Sequence, residues 1–388
     1  MLRIAALPPL QPTNLHYKFS LFPFPCSCSS AMLSCSNGFQ FSQPVFFLLL
    51  KSCLKGGRKG MMMGRIVGIL HLILLLLISL PLVRAQLSVD YYKQNCPQVE
   101  NIIRAEMIRK QSVNPTTAAG TLRIFFHDCF VEGCDASVLI RSTPKNKAEK
   151  DADINLSLPG DGFDAVVRAK TAVEARCPGI VSCADIMSIA TRDLISLVGG
   201  PYYPVKKGRK DGWISQASRV AGNLPLPTMN VDVLTALFQS KGLTQADMIT
   251  LSGGHTIGFS HCKEFMHRIY RYNRTIHVDP TMNFEYAMGL RKACPRKKLD
   301  HSIVAFNDVN SPRKFDNGFY RNLPQGLGLL ASDQILYSDP QSRGLVQLYA
   351  SNQTAFFNAF AAAMNKLGAV GVKTGSEGEI RRRCDAFN

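Results

Sequence analysis

The sequence predicts a mostly α-helical protein with very little β-structure and long loops fastened by disulfides. Three observations carry this expectation. Apolar residues recur at helical spacing in several segments, strand signals are few and short, and eight of the 12 cysteines fall after residue 86. From Gln86 to Asn388 there is no internal repeat and no low-complexity linker, so this stretch reads as one unit of roughly 300 residues, enough for a substantial core.

The first element in chain order is not part of that unit. Ile66 to Val83 is an apolar run preceded by Arg58, Lys59 and Arg65 and followed by Val83-Arg84-Ala85, a small-x-small cleavage site. Residues 61–85 thus read as a secretory signal peptide, with Gln86 as the new N-terminus. A membrane anchor is the rival, but Gly68, His71 and Pro81 interrupt the span and a cleavage site follows it. No stable membrane association is expected. Residues 1–60, with Pro and Ser clusters, read as a spurious or unstructured N-terminal extension.

Within the unit, Val99, Ile102, Ile103 and Met107 form an apolar stripe that predicts the first helix. Thr117-Ala-Ala-Gly-Thr-Leu122 then leads into Arg123 and His127, four residues apart. On a helix these two share one face, which offers a fixed cation and a titratable base side by side. Asp128, Asp135 and Ser137 follow, in a loop that a Cys129 to Cys134 bridge would close. Hard oxygens suit calcium better than zinc, and Cys-x4-Cys here lacks a second Cys/His pair. Ordinary turn chemistry is the rival explanation for aspartates in a loop.

Further on, Thr244-Gln-Ala-Asp247 is a capping box, opening a helix through Met248, Ile249 and Leu251 toward Ser252-Gly253-Gly254-His255. Two glycines let the backbone before His255 approach a neighbour closely. One such histidine is ordinarily a satisfied core residue. Two distant ones are harder to dismiss: His127 has an arginine beside it, as a proton shuttle would, and His255 stands among small and apolar residues, as a metal ligand would. The last predicted helix carries Phe356, Phe357, Phe360 and Met364 on one stripe, with Asn352 as cap and Gly368 as stop.

Charge and cysteine usage bound the setting. The segment before Gln86 holds eight of the 45 Lys/Arg and no Asp/Glu, leaving 37 against 28, a net +9. That sign favours acidic polysaccharide or another anionic surface as partner. The basic clusters Lys206-Lys207-Gly-Arg209-Lys210, Arg296-Lys297-Lys298 and Arg381-Arg382-Arg383 lack interleaved aromatics, so they read as solvated surface and no nucleic-acid partner is expected. An even set of eight cysteines implies four bridges and an oxidising compartment, with 105 connectivities open.

Taken together, residues 86–388 resemble the class III secretory plant peroxidases, a haem enzyme family. The matching motifs are Arg123-x-x-x-His127-Asp-Cys-Phe-Val-x-Gly-Cys-Asp-Ala-Ser137, Val181-Ser-Cys-Ala-Asp185, Leu251-Ser-Gly-Gly-His-Thr-Ile-Gly258, Phe315-Asp-Asn317 and Ser332-Asp333-Gln334. The resemblance implies a haem peroxidase fold, with distal and proximal helical halves sandwiching one haem b. It implies His255 as axial iron ligand, with Asp333 accepting its other ring N–H. It gives His127 the proton transfers to and from hydrogen peroxide, Arg123 the stabilisation of developing negative charge, Asn155 the orientation of His127, and Phe126 the limiting of access to the iron. Pro225 would contact the aromatic donor.

The same resemblance implies two calcium ions. Asp128, Val131, Gly133, Asp135 and Ser137 would hold the distal one, with Glu149 in support. Thr256, Asp308, Ser311, Lys314 through its carbonyl, and Asp316 would hold the proximal one. The implied pairings are Cys96–Cys177, Cys129–Cys134, Cys183–Cys384 and Cys262–Cys294.

Some positions depart from the family pattern. Ser311 stands where Thr is usual, and Thr116 and Gly120 stand where some relatives place Arg and Ser near a haem propionate. Asn155 lies in a sequon but should be inaccessible, which leaves Asn273 and Asn352 as the glycosylation candidates. Only four residues follow Cys384, so the expected location is extracellular space or cell wall. The expected activity is one-electron oxidation of phenolic donors at the expense of hydrogen peroxide, by a monomer, in wall phenolic and lignin metabolism, peroxide catabolism and oxidative stress. The alternatives are a non-catalytic calcium-binding wall glycoprotein and a basic polysaccharide-binding protein.

Overall fold

The computed structural model describes residues 86–296 and 302–388; the expected extension at 1–60 and signal peptide at 61–85 lie outside the described residues. Helix α1 (Val99–Val113) buries Val99, Ile103 and Met107, three members of its predicted stripe. Asn114 and Pro115 end it, since the residue before proline is driven out of the helical region. The Thr116 amide donates to Asn114 Oδ1 at 3.1 Å as the chain turns into α2 (Thr117–Phe130).

Helices α3 (Gly160–Glu174) and α4 (Cys183–Leu197) pack against both α1 and α2. The α2–α3 approach is close because neither helix has a side chain at the crossing: a Cβ on Gly162 would meet Ile124 at 2.7 Å, and one on Gly120 would meet Pro159 at 3.0 Å. A packing role therefore explains Gly120, one of the departures from the family pattern noted above. Ser182 caps α4 by accepting from the Asp185 amide at 3.2 Å.

The second half begins with α5 (Val231–Gln239) and α6 (Gln245–Ser252). The predicted capping box is present, with Thr244 Oγ1 accepting from the Asp247 amide at 3.1 Å and Asp247 Oδ2 accepting from the Thr244 amide at 2.9 Å. A single 3₁₀ turn, Gly253–Thr256, follows α6 and carries His255. Next come β1 (Phe259–His261), α7 (Met266–Ile269), α8 (Phe284–Ala293) and β2 (Val304–Phe306). The strands pair antiparallel, with Ser260 opposite Ala305. Then α9 (Gly318–Asn322), α10 (Ala331–Ser338), α11 (Pro340–Ser351) and α12 (Gln353–Leu367) complete the chain. Asn352 caps α12 and Gly368 ends it, as expected.

Phe315, Tyr320, Phe356 and Phe360 form an aromatic cluster beneath the His255 turn, with neighbouring ring centroids 4.8–5.9 Å apart. All four are fully buried, each contributing about 2 kcal/mol relative to exposure. The cysteines pair as Cys96–Cys177, Cys129–Cys134, Cys183–Cys384 and Cys262–Cys294. Of the 105 possible connectivities, this is the one the resemblance implied. Among the described residues, no helix is long and apolar enough to cross a membrane.

One expectation is corrected. The basic clusters are not wholly solvated surface: Lys207, Arg209 and Arg381 are buried. Arg209 Nη1 donates to Asp185 Oδ1 at 2.8 Å, Lys207 contacts Glu100, and Arg381 donates to the carbonyls of Ala136 and Gly212 at 2.9 and 2.8 Å. A cation can be buried only with such partners, and these partners lie far away in sequence. Composition of the cluster itself therefore could not show them. Arg296 is exposed, while Lys297 and Lys298 lie outside the described residues.

Candidate active site

Helix α2 brings Arg123 and His127 onto the face that lines a cavity of ≈300 Å³, and the turn after α6 brings His255 to the same cavity. Phe126 and Pro225 also line it, so the residues expected around one site do converge. Thr116 and Gly120 are at its wall as well. Phe126 is held by stacking on Phe130, with ring centroids 4.1 Å apart.

His127 is oriented by a chain of two hydrogen bonds. Its Nδ1 lies 2.7 Å from Asn155 Oδ1, and Asn155 Nδ2 donates to the Glu149 carbonyl at 2.8 Å. Because the amide nitrogen is committed to a carbonyl, the amide oxygen must face the imidazole, and His127 must donate from Nδ1. Its Nε2 is left with a lone pair. Burial, and then the Arg123 cation, push the His127 pKa down to about 3, with the Asn155 bond only partly opposing them. At neutral pH it is a base without charge. Asn155 is 2% exposed, which closes its sequon to glycosylation, whereas Asn273 and Asn352 are exposed.

Arg123 donates from Nη1 to the Ser157 carbonyl at 3.0 Å and from Nη2 to Ser157 Oγ at 2.9 Å. Burial lowers its pKa, yet guanidinium remains a cation under any ordinary condition. Ser157 was not anticipated; nothing local marks a serine two residues after Asn155 as an arginine anchor.

His255 sits in a turn whose shape depends on Gly253. A Cβ there would meet Tyr320 Oη at 2.5 Å, so the glycine admits an aromatic rather than the cavity's contents. Tyr320 in turn donates to the carbonyls of Ile249 and Thr250 at 2.8 and 3.0 Å, fastening the end of α6. His255 Nδ1 lies 2.9 Å from Asp333 Oδ1 in the first turn of α10. Burial alone would lower the His255 pKa; the Asp333 carboxylate outweighs it and raises the pKa. The side chain is 42% accessible although protein surrounds it, so its open area faces the cavity and not bulk water. The geometry suits a group held from one side by a nitrogen ligand and faced from the other by a neutral base and a fixed cation.

The expected distal loop contains Asp128, Asp135 and Glu149, all buried. Burial, and then repulsion among these carboxyls, push Asp128 and Glu149 upward, a cost that a cation among them would reverse. Ser137 Oγ donates to Glu149 Oε2 at 2.9 Å, while Lys373 contacts Asp135. Gly133, at φ +121°, packs on Gly371, and Val131 follows the last residue of α2.

The expected proximal set is more compact. Ser311 Oγ lies 3.1 Å from Asp308 Oδ2 and 3.2 Å from Asp316 Oδ1, and Thr256 Oγ1 lies 3.4 Å from each of the same two oxygens. Four oxygens at such spacing, if near square, surround a centre roughly 2.3 Å from each, within the calcium–oxygen range. A Cβ on Gly318 would stand 2.3 Å from Asp308 Oδ2 and 2.7 Å from Asp316 Oδ1, so the glycine keeps this cradle open. Lys314 Nζ is 4.0 Å from Asp316. Among the described residues, no group of three His, Cys, Asp or Glu side chains is placed to hold a metal ion alone; both expected sets also include hydroxyls and carbonyls.

Comparison with known proteins agrees with the geometry. The family model described as Peroxidase matches residues 99–352. Peroxidase 41 of Arabidopsis thaliana is 56% identical over 302 residues, 78% of this chain and 91% of that protein. Peroxidase 65 and Peroxidase 6 of the same plant are 53% and 54% identical, covering 79% and 82% of this chain and 92% and 97% of those proteins. Identity of this extent, with a family model spanning both histidines, establishes that the chain belongs to the peroxidase family, whose members use haem to reduce hydrogen peroxide at the expense of a donor.

Proposed function

We propose that this is a secreted peroxidase of the class III type, which reduces hydrogen peroxide and oxidises small phenolic donors in successive one-electron steps. The carrying observation is the pair of histidines facing one cavity with opposite commitments: His127 bonded to an amide, His255 to a carboxylate. One haem b would be held between them; the support is that His255 Nε2 has no hydrogen-bond partner among the described residues and that the walls are largely apolar. When bound, haem supplies an iron centre that exchanges electrons with peroxide and donor.

The chain's own residues do the rest. His127 Nε2 accepts a proton from hydrogen peroxide and returns it to the oxygen that departs as water, acting as base and then acid. Arg123 offsets the negative charge that develops on the peroxide, anchored by Ser157 so that no reorganisation is needed. Asp333 makes His255 a more basic ligand by accepting its N–H. Phe126 restricts the approach to the distal face, and Pro225 borders the donor's path.

Two calcium ions brace this arrangement, each adjacent in sequence to a catalytic histidine. Asp128, Asp135, Ser137 and the carbonyls of Val131 and Gly133 hold one, with Glu149 behind them; Thr256, Asp308, Ser311, Asp316 and the Lys314 carbonyl hold the other. Residues 61–85 direct secretion, residues 1–60 are dispensable, and the mature monomer from Gln86 works in the extracellular space or cell wall. Anionic wall polysaccharide is a further partner, favoured by the net positive charge.

The test is reconstitution. Protein refolded with haem and calcium should show a Soret band and peroxide-dependent oxidation of guaiacol; a normal band without turnover would instead favour a non-catalytic wall glycoprotein.

A further inference from the structure

A second cavity of ≈220 Å³ lies beside the large one and has no part in the chemistry above. The two share Thr116, Ala119, Ile257, Gly258 and Phe259 as lining residues, and two of these nearly touch: a Cβ on Gly258 would stand 3.0 Å from Ala119 Cβ. Pro115 at the entry to α2, Val198 after α4, Ile257, Phe306 of β2 and Pro312 make the pocket's apolar walls. Five separate chain segments thus build one concave surface. Phe306 is 44% exposed, leaving an aromatic at the mouth.

Arg313 is the only charged residue lining this pocket. Two other cations differ from it: Lys314 and Arg321 lie 4.0 and 3.9 Å from Asp316, whereas Arg313, which is exposed, forms no ion pair with any carboxylate among the described residues. The other polar side chain, Thr116, already donates its hydroxyl to Asn114 Oδ1 at 2.8 Å. A ligand therefore meets apolar walls and a single unpaired guanidinium. The volume lies below the common range for ligand pockets, about 300–1,000 Å³, and suits one ring.

We propose that this pocket binds a small aromatic carboxylate, with its ring against Pro115, Ile257 and Phe306 and its carboxylate on Arg313. Charge complementarity selects the acid over a neutral aromatic, and guanidinium can meet a carboxylate with two parallel hydrogen bonds. The positive charge of the chain after Gln86 favours the same class. The proposal concerns binding alone: the pocket adjoins the large cavity through Thr116, Ala119, Ile257, Gly258 and Phe259, and no step of the peroxide reaction is assigned to its occupant.

The experiment reads binding and not turnover, so it is independent of the donor assignment. Haem-loaded mature protein, from Gln86 to Asn388, is titrated with 4-fluorobenzoate and, separately, 4-fluorobenzamide, followed by fluorine NMR. Saturable benzoate binding is expected, several-fold tighter than the amide. Arg313→Glu should weaken benzoate about fivefold or more and leave the amide unchanged, while Arg313→Lys retains most of the affinity. Val304→Trp, which fills the pocket from β2, should remove both. Unchanged melting temperature and Soret band in Arg313→Glu show that the fold is intact. Absence of saturable binding, equal affinity for acid and amide, or benzoate binding indifferent to Arg313→Glu or Val304→Trp would each overturn the proposal.

Discussion

His127 Nδ1 lies 2.7 Å from Asn155 Oδ1, and this contact sets the state of the base, since the amide's own nitrogen is spent on the Glu149 carbonyl. Removing the amide should leave the imidazole free to adopt the wrong tautomer. Asn155→Val is expected to slow the reaction with peroxide on the order of tenfold to a hundredfold while the haem spectrum persists. Stopped-flow absorbance measures it, and an unchanged rate would show that the amide does not orient the ring.

The depressed His127 pKa has two consequences with defined signs. In the folded protein the ring stays neutral down to about pH 3, so the peroxide step should be nearly flat from pH 8 to pH 4.5. A fall centred near the ordinary histidine value would contradict this. In the unfolded chain the ring binds its proton near pH 6.5, so His127's contribution to stability is present above that value and declines as pH falls toward 3. The drop in urea midpoint between pH 7 and pH 4.5 should accordingly be smaller in His127→Gln than in the wild type.

The two histidines should fail differently when removed. His255→Ala is expected to abolish stable haem binding, whereas His127→Ala should retain the Soret band and lose roughly 10²–10⁴ in the peroxide step. Equal loss of haem in both would reverse or dissolve the assignment of the two faces.

Calcium removal should be felt in the melting temperature. The four oxygens of Thr256, Asp308, Ser311 and Asp316 converge, and the nearby cations Lys314 and Arg321 approach only the other oxygen of Asp316, at 4.0 and 3.9 Å, so an ion bound there should add to stability. An ion present at a hundred times its dissociation constant adds about 2.7 kcal/mol. Chelation should lower melting temperature and activity together and calcium should restore both; Asp308→Ala should lower melting in calcium and blunt the effect of chelator. Indifference of melting to chelator would remove the bracing role.

Arg209 and Asp185 are both buried, and Asp185 also accepts from Tyr92 Oη at 2.7 Å. Arg209→Leu leaves that carboxylate without its cation and should cost about 3–5 kcal/mol. Urea denaturation at neutral pH measures it, and a loss under 1 kcal/mol would show that Tyr92 and the Gly208 amide, which donates to Asp185 Oδ2 at 2.6 Å, suffice.

Much of this protein was legible in the chain because the relevant physics is local. The α1 stripe, the Thr244–Asp247 capping box, the Asn352 cap and the four-residue step from Arg123 to His127 depend only on helical periodicity and on neighbours within one turn. The ordered motifs then pointed to the family, and through it to the four disulfide pairs. What only the tertiary structure decided rests on partners distant in sequence. Arg209, Lys207 and Arg381 looked like solvent-facing charge until Asp185, Glu100 and the Ala136 and Gly212 carbonyls were brought to them. Ser157 as the anchor of Arg123, Tyr320 beneath Gly253, and Arg313 alone at an apolar pocket belong to the same class. A side chain's charge and shape are written in its identity, but its burial and its partner are set by which surfaces the fold presses together, and no window of local sequence contains both sides of such a contact.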